Sequence, residues 1–438
     1  MKVAVRLAAA FALSALAGAA LAQKGETVRI AFIDPLSGPF ANVGQNQLKS
    51  WQFVAERLSA DNPAGVKFEV TAFDNKASPQ ESLSVLRAAI DQGFRYVVQG
   101  NGSGAAQAIM EGVAKHNARN AGKELVYLDY AAVDPALTND KCDYWHFRLD
   151  ADTSMKMEAL TSFLREQPKI RKVYLLNQNY SHGHQVASFF KDAVKRRRPD
   201  IEIAGEDLHP IGQVKDFAPY VAKIKRAGAD AVVTGNWGQD LTLLVRAMSD
   251  AGLNIPLYTY YAMAAGTPKA LAAGGAAEVY VVGYGHPNLA APIAPLTAEF
   301  KKRFNDDYFT FATWSGIQLL AQAMAKAKST DPVKVAPAME GLRINSFAGE
   351  ATMRAADHQL QQTMFITRWQ KAKPGEYSVE DTGYTFAPVK RMEPYVSTTP
   401  TSCEMKRPAS ASVASTGSTA AAGTAAAAAT PGSTGSAR

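Results

Sequence analysis

Short apolar runs alternate with amphipathic stretches along most of this chain, and partway through the alternation starts again. The runs 27–33, 66–72, 96–99 and 124–128 are four to seven residues long, the length of buried strands. Between them, 44–59, 79–92 and 105–117 carry apolar residues at helical spacing. Ser78 precedes Pro79 and stands three residues before Glu81, which predicts a capped helix start there. The second round has strand-like runs at 172–176, 202–208, 231–235 and 257–260, with helical stretches at 184–197, 217–227 and 241–251. A strand that returns to its neighbour through a helix lies parallel to it, by a right-handed crossover. Two rounds therefore predict an α/β chain of two doubly wound parallel-sheet lobes. The remainder holds helical stretches at 297–304 and 312–328 and one strand at 363–370. That is too little for a third core, so these elements should pack back onto the lobes, and the chain should cross between lobes more than once.

The two ends differ from this pattern. Lys2 and Arg6 precede an apolar run from Leu7 to Leu21, and Ala20-Leu21-Ala22 supplies small residues at the cleavage positions. This predicts a signal peptide over 1–22, cut before Gln23, and hence export to the periplasm. The run is short for a membrane span of ~20 residues, the alternative being an uncleaved anchor. Loss of Lys2 and Arg6 lowers the formal net charge from +7 to +5. The one dense basic run, Lys195 to Arg198, closes a predicted helix, where cations complement the dipole, and no aromatics interleave with it. Nucleic acid is therefore not an expected partner. Residues 408–438 are almost wholly Ala, Ser, Thr and Gly, with too little to bury for order. The stretch 23–407 is long for one core and suits two domains. Cys142 and Cys403 are the only cysteines. In an oxidising compartment they are expected to pair, two buried thiols being the alternative.

Ligands of open α/β sheets bind beyond the carboxyl ends of the strands, so the residues following each strand are the candidates. Gly100-Asn101-Gly102-Ser103-Gly104-Ala105 follows the third strand and fits the dinucleotide pattern GxGxxA, with Asp129 ending the next strand. Its place after the third strand, in an exported chain, favours a different anion: a ligand carboxylate held by Ser103 and amides at a helix N-terminus. His182-Gly183-His184 has no nearby Cys or carboxylate, which is thin support for a metal. No GxSxG motif supports Ser-His-Asp chemistry. Tyr180, Trp237, Tyr260 and Tyr261 fall at strand ends or in loops, either as core or as walls around a ligand. No cofactor is expected.

In order and spacing, these motifs resemble the type I periplasmic binding proteins of the branched-chain amino-acid (leucine/isoleucine/valine) family. They are Leu36-Ser37-Gly38-Pro39 with Gly44, Asp74-Asn75 with Pro79, and Ser103. Ala131-Ala132 with Pro135-Ala136-Leu137-Thr138 follows the fourth strand. The second lobe adds Asn177-Gln178-Asn179-Tyr180 with Gly183, then Phe217-Ala218, and Asp357-His358-Gln359 stands near the end. The resemblance implies a hinge of three crossings, near Arg148, Gly283 and Gly349. Lobe 1 would then be 23–147 with 284–349, and lobe 2 would be 148–283 with 350–395. Residues 396–407 form a C-terminal segment ahead of the disordered tail, 408–438. The ligand would lie against Asn101, Gly102, Ser103, Tyr130, Ala131, Ala132 and Val133 of lobe 1 and Tyr180, His182, Trp237 and Tyr261 of lobe 2. Ser103 and the backbone of Ala131 and Ala132 would take its carboxylate, and His182 and Trp237 would cover it. Three departures stand out: Val133 where relatives place a hydroxyl, Val43 where an aromatic often lines the first loop, and Tyr261 where an acid pairs with the ligand ammonium. Burying an ammonium without a counter-charge is costly, and Asp240 is the one nearby candidate, if it does not simply open its helix.

The expectation is a monomeric, non-catalytic substrate-binding component of an ABC importer. It would capture a small carboxylate-bearing solute, an amino acid or an aromatic or other organic acid, and hand it to a membrane permease. The alternatives are a sensor subunit presenting a small molecule to a membrane receptor, or an enzyme using the same cleft.

Overall fold

The computed structural model describes residues 25–274, 278–289 and 293–408. The expected signal peptide and, beyond Pro408, the expected low-complexity tail lie outside the described residues. The first round runs β1 (Thr27–Asp34), α1 (Ala41–Ala60), β2 (Lys67–Asp74), α2 (Pro79–Asp91), β3 (Tyr96–Gln99), α3 (Ser103–Asn117), β4 (Val126–Asp129) and β5 (His146–Arg148). The second runs α4 (Thr153–Leu164), β6 (Lys172–Gln178), α5 (Ser181–Arg197), β7 (Glu202–His209), α6 (Ala218–Ala227), β8 (Ala231–Val233), α7 (Gly238–Asp250), β9 (Leu257–Thr259), α8 (Thr267–Ala273) and β10 (Val279–Gly283). Then follow α9 (Ile293–Phe304), α10 (Ala312–Ala327), α11 (Pro332–Met339), β11 (Arg343–Ser346), β12 (Gly349–Met353), β13 (Leu360–Gln361), β14 (Met364–Lys371), β15 (Tyr384–Met392) and α12 (Pro394–Ser397).

The first sheet is ordered β2-β1-β3-β4-β5, every pair parallel. In the second, β7-β6-β8-β9-β10 repeats that order, also parallel, and antiparallel β14 and β15 extend it beyond β10. The same winding thus occurs twice, as the restarted alternation predicts. The strand expected at 363–370 is present, but its role is to widen the second sheet with β15. Both faces of the second sheet are covered. Val173 and Leu175 of β6 face one core, and Tyr174 and Leu176 face another, the two-residue alternation of a strand buried on both sides.

Packing assigns the C-terminal third. Helices α9, α10 and α11 and strands β11 to β13 close the first core through Phe300, Ile317, Met339, Met353 and Leu360, while Met364, Ile366 and Met392 enter the second. The chain therefore passes between lobes after β5, after β10 and between β13 and β14. At the first passage Arg148 is fully buried. Its Nε donates to Gln359 Oε1 at 2.6 Å and its Nη1 to the Asp134 carbonyl at 2.5 Å, with Thr138 and Asp152 taking Nη2. The Arg148 amide donates to the His358 carbonyl at 2.8 Å, and Gln359 Nε2 to the Asp150 carbonyl at 2.8 Å. Asp357-His358-Gln359 thus joins the first passage to the third.

A fourth passage was not foreseen. Val396 of α12 packs on the second core, and seven residues later Cys403 is bonded to Cys142, with Cα atoms 5.7 Å apart; Met405 packs on the first core. The basic run at the end of α5 is a structural bracket. Arg196 and Arg197 pair with Glu158, and Arg198 donates to the carbonyls of Leu164 and Ile170 behind α4.

Candidate functional site

The carboxyl ends of both parallel sheets face one cavity, whose empty space, with the open solvent at its mouth included, is about 870 Å³. Each sheet's strand order reverses beside its first strand, between β1 and β3 and between β6 and β8, and ligands settle at such switch points. Residues following those strands line the cavity: Val43 and Gln47 after β1, Asn101, Gly102 and Ser103 after β3, Tyr180 after β6 and Trp237 after β8. Ala131, Ala132 and Val133, after β4, add to the wall, and Tyr261 follows β9. Nine residues expected at the ligand are thus brought together. Tyr130 and His182 are not.

Three helices begin at this cavity. The residues preceding α3, α5 and α7 are Gly102, Tyr180 and Trp237, and none caps its helix with a side chain. At α3 the first residue, Ser103, itself lines the cavity, so the first amides of that helix are left for a ligand, and its N-terminus carries roughly half a positive charge. Ser103 is buried, and its hydroxyl makes no hydrogen bond among the described residues. Uncapped amides beside a free hydroxyl form an anion site.

The loop after β3 is held from beneath. Asp34 is fully buried, and its carboxylate accepts from the amides of Gly100 (3.0 Å) and Asn101 (2.8 Å), the Asn101 side chain (2.9 Å) and the Tyr130 hydroxyl (2.5 Å). Burial pushes the Asp34 carboxyl up to about 7, against the pull of those donors. Tyr130 is thus a support for the site and not part of its surface. The dinucleotide alternative has no acid to read a ribose, because Asp129 is occupied. Its Oδ1 accepts from the amides of Ala131 (3.2 Å) and Ala132 (2.7 Å), and its Oδ2 lies 3.4 Å from His146 Nε2. The same bonds correct the role expected of Ala131 and Ala132. Their amides are committed to Asp129 and are not left for a ligand carboxylate.

His182, on the first turn of α5, lies behind the wall. Its Nδ1 is 2.9 Å from Thr153 Oγ1, its Nε2 sits against Gly235, and its ring packs on Tyr180, Tyr260 and Tyr261. Burial, followed by the nearby Lys156, pushes its pKa down to about 3, so the ring is neutral. His184 points elsewhere and pairs with Asn179 at 2.9 Å. Among the described residues no group of three His, Cys, Asp or Glu is arranged to hold a metal ion. Asp240 opens α7, accepting from Gln178 Nε2 (2.7 Å) and the Gly212 amide (2.8 Å), and takes no part in the cavity.

The aromatic found missing at Val43 comes from Phe40, three residues earlier. Phe40 crosses from lobe 1 and stacks on Trp237, with centroids 4.0 Å apart and planes at 29°. Gly212 and Gly238 admit it: a Cβ at Gly238 would stand 2.6 Å from its ring. Trp237 Nε1 in turn donates to the Tyr180 hydroxyl at 3.0 Å. Gln185 Nε2 reaches Asp134 Oδ1 across the lobes at 2.6 Å. The lobes are closed on one another.

Two charged residues of the wall were also missed. Asp150, in the first passage, and Lys156, on α4, form a buried ion pair of 2.6 Å that faces the cavity. Burial pushes the Asp150 carboxyl up, and Lys156 beside it pulls it back. The signal available was weak. Nine of the twelve residues of helix α4 are buried, the polar Thr153, Lys156 and Thr161 among them, whereas a lysine in a helix ordinarily reads as solvent-facing. Tyr284 and Phe311 complete the wall from the C-terminal third.

A family model described as periplasmic binding protein matches residues 27–374. The Leu/Ile/Val-binding protein homolog 4 of Brucella melitensis is 32% identical over 423 residues, covering 93% of this chain and 99% of that protein. Among solved structures, the closed conformation of the leucine-, isoleucine-, valine-, threonine- and alanine-binding protein from Brucella ovis superposes with a TM-score of 0.77 at 30% identity, over 88% of this chain and 100% of that one. A solute-binding protein of an ABC transporter from Rhodopseudomonas palustris BisB5, in complex with 3,4-dihydroxybenzoic acid, gives a TM-score of 0.71 at 19% identity, over 84% and 97%.

Proposed function

The chain belongs to the periplasmic binding protein family, and from that premise we propose that it captures a small carboxylate-bearing solute by lobe closure and delivers it to the permease of an ABC importer. The observation that carries this reading is the meeting of the uncapped α3 N-terminus and the Ser103 hydroxyl, unbonded among the described residues, on one interlobe cavity. The solute's carboxylate docks on Ser103 and the α3 amides, beside Asn101 and Gly102, while Ala131, Ala132 and Val133 floor the cleft. Tyr180, Trp237 and Tyr261 cover it from lobe 2, with Tyr130 and His182 supporting from behind. The Brucella ovis neighbour is named for amino acids and the Rhodopseudomonas one holds an aromatic acid, so both classes are candidates. Among the described residues, the one acid lining the cavity, Asp150, is already paired with Lys156, and this favours the aromatic or other organic acids over an α-amino acid.

On this reading the protein works in the periplasm as a monomer after cleavage before Gln23, and makes and breaks no bond. Its lobes, expected over 23–147 with 284–349 and 148–283 with 350–395, are followed by the segment 396–407 and the tail 408–438. The packing of Met353 and Leu360 with the first core argues for carrying the third crossing forward to 362–363. The test is thermal-shift screening of refolded protein against amino acids, aromatic acids and small amides, since a ligand of the native state raises the midpoint. A shift with carboxylates is the expected outcome. Shifts with none, or turnover of a bound candidate, would overturn the reading.

A further inference from the structure

The Asp150–Lys156 pair is half-used by the protein. Lys156 Nζ donates to Asp150 Oδ2 and to nothing else among the described residues; its other approaches are to the ring faces of Tyr260 and Tyr261, at 5.5 and 5.3 Å. Asp150 Oδ1 is buried with no partner among the described residues. A buried polar atom left unmatched is uncommon, and here an acceptor and a donor stand side by side on the wall of the cavity.

We propose that this pair reads a neutral hydrogen-bonding group of the solute, a hydroxyl or a carboxamide, which donates to Asp150 Oδ1 while accepting from Lys156 Nζ. The inference rests on the proposed function and narrows its solute to a small ring-bearing acid with such a group opposite its carboxylate. Charge decides between the possible tails. A neutral donor–acceptor group leaves the ion pair intact and completes both partners. An ammonium would suit Asp150 but face Lys156 without water between them, and a carboxylate would reverse the problem. Position sets the length. Ser103 follows β3 and Asp150 follows β5, with β4 between them in the sheet, so the two polar stations stand two strand spacings apart, about 10 Å. Tyr180, Trp237, Tyr261 and Phe311 enclose the space between, which suits a ring.

Calorimetric titration of the refolded full chain tests this with benzoate, 4-hydroxybenzoate, 4-carbamoylbenzoate, terephthalate, 4-(aminomethyl)benzoate and leucine. The expected result is that the hydroxy or carbamoyl acid binds about ten- to a hundredfold more tightly than benzoate, the value of a hydrogen bond to a charged group. Both charged-tail acids should bind more weakly than benzoate. In the double variant D150N/K156M the preference for the hydroxy and carbamoyl acids over benzoate should vanish. Equal affinity of the wild type for benzoate and its hydroxy and carbamoyl analogues overturns the inference, whether or not the variant folds. So does a preference for a charged tail, or a preference that survives in the variant. Binding of leucine alone overturns the inference and leaves solute capture standing, whereas no binding of any carboxylate overturns both.

Discussion

Two buried groups near the cleft titrate in opposite senses, and both owe it to burial. Asp34, held near 7, is protonated in the folded chain over a range where the unfolded chain is ionised. His182, held near 3, is neutral in the folded chain where the unfolded one, near 6.5, is charged. For His182 the unfolded state therefore binds the extra proton between pH 6.5 and 3, and stability falls as pH falls through that window. The effect of this one group reaches roughly 1.4 kcal/mol per pH unit. In H182Q the variant's stability should fall less steeply than the wild type's between pH 6.5 and 4, as read from urea midpoints at each pH. Parallel curves would mean that the ring is not held neutral. Sequence reading placed His182 just ahead of the helix expected from 184, covering the ligand, and not behind the aromatic wall on the helix's first turn. The two positions differ by a side-chain direction, which Thr153 and Gly235 decide.

At the scale of elements, the two lobes repeat a backbone contact. Gly44 sits in the first turns of α1 and Gly183 in those of α5, each near the end of the strand that starts its lobe. A Cβ at Gly44 would stand 1.8 Å from the Pro35 carbonyl oxygen, and one at Gly183 1.8 Å from that of Gln178. Backbone cannot rotate away as a side chain can, so either alanine must push helix from strand. G183A should lose about 1–3 kcal/mol, the range for overpacking, as measured by urea denaturation. It should also weaken solute binding, because α5 positions Tyr180. Binding at wild-type strength in a destabilised G183A would separate the contact from the site. Both glycines were legible as motif residues, since close backbone approach is one reason for an invariant-looking spacing. Helix α4 was not legible. Its buried face mixes Thr153, Lys156 and Thr161 with Met155, Met157, Leu160 and Phe163, which blurs the apolar period. With it went Lys156, a buried cation of the cavity wall.

Across the whole molecule, the lobes are joined by three main-chain passages and by a strap that ends in the Cys142–Cys403 bond. The bond spans 261 residues, and closing a loop of that size in the unfolded chain is worth at most ~5 kcal/mol. The strap is also held by Thr401 Oγ1 on the Thr138 carbonyl at 2.8 Å and the Ser402 amide on Asn139 Oδ1 at 3.0 Å. C142S/C403S should therefore lose about 2–5 kcal/mol and expose the amides of 398–407 to fast hydrogen exchange, with the sheet strands still protected. Unchanged exchange in that segment would show that its side-chain bonds suffice without the disulfide. The sequence by itself determined what depends on local chemistry. Apolar periodicity determined the two wound lobes, glycines and caps determined where helices start, and strand ends determined which loops could meet a ligand. It could not determine what depends on which distant surfaces meet. Phe40 reaches Trp237 only once two lobes face each other, and the amides of Ala131 and Ala132 are lost to Asp129 only once that carboxylate turns inward. The Asp150–Lys156 pair becomes a feature of the cavity only because the folded α4 turns Lys156 inward onto Asp150. Those outcomes belong to packing between segments far apart in the chain, where periodicity carries no information and only the folded geometry decides.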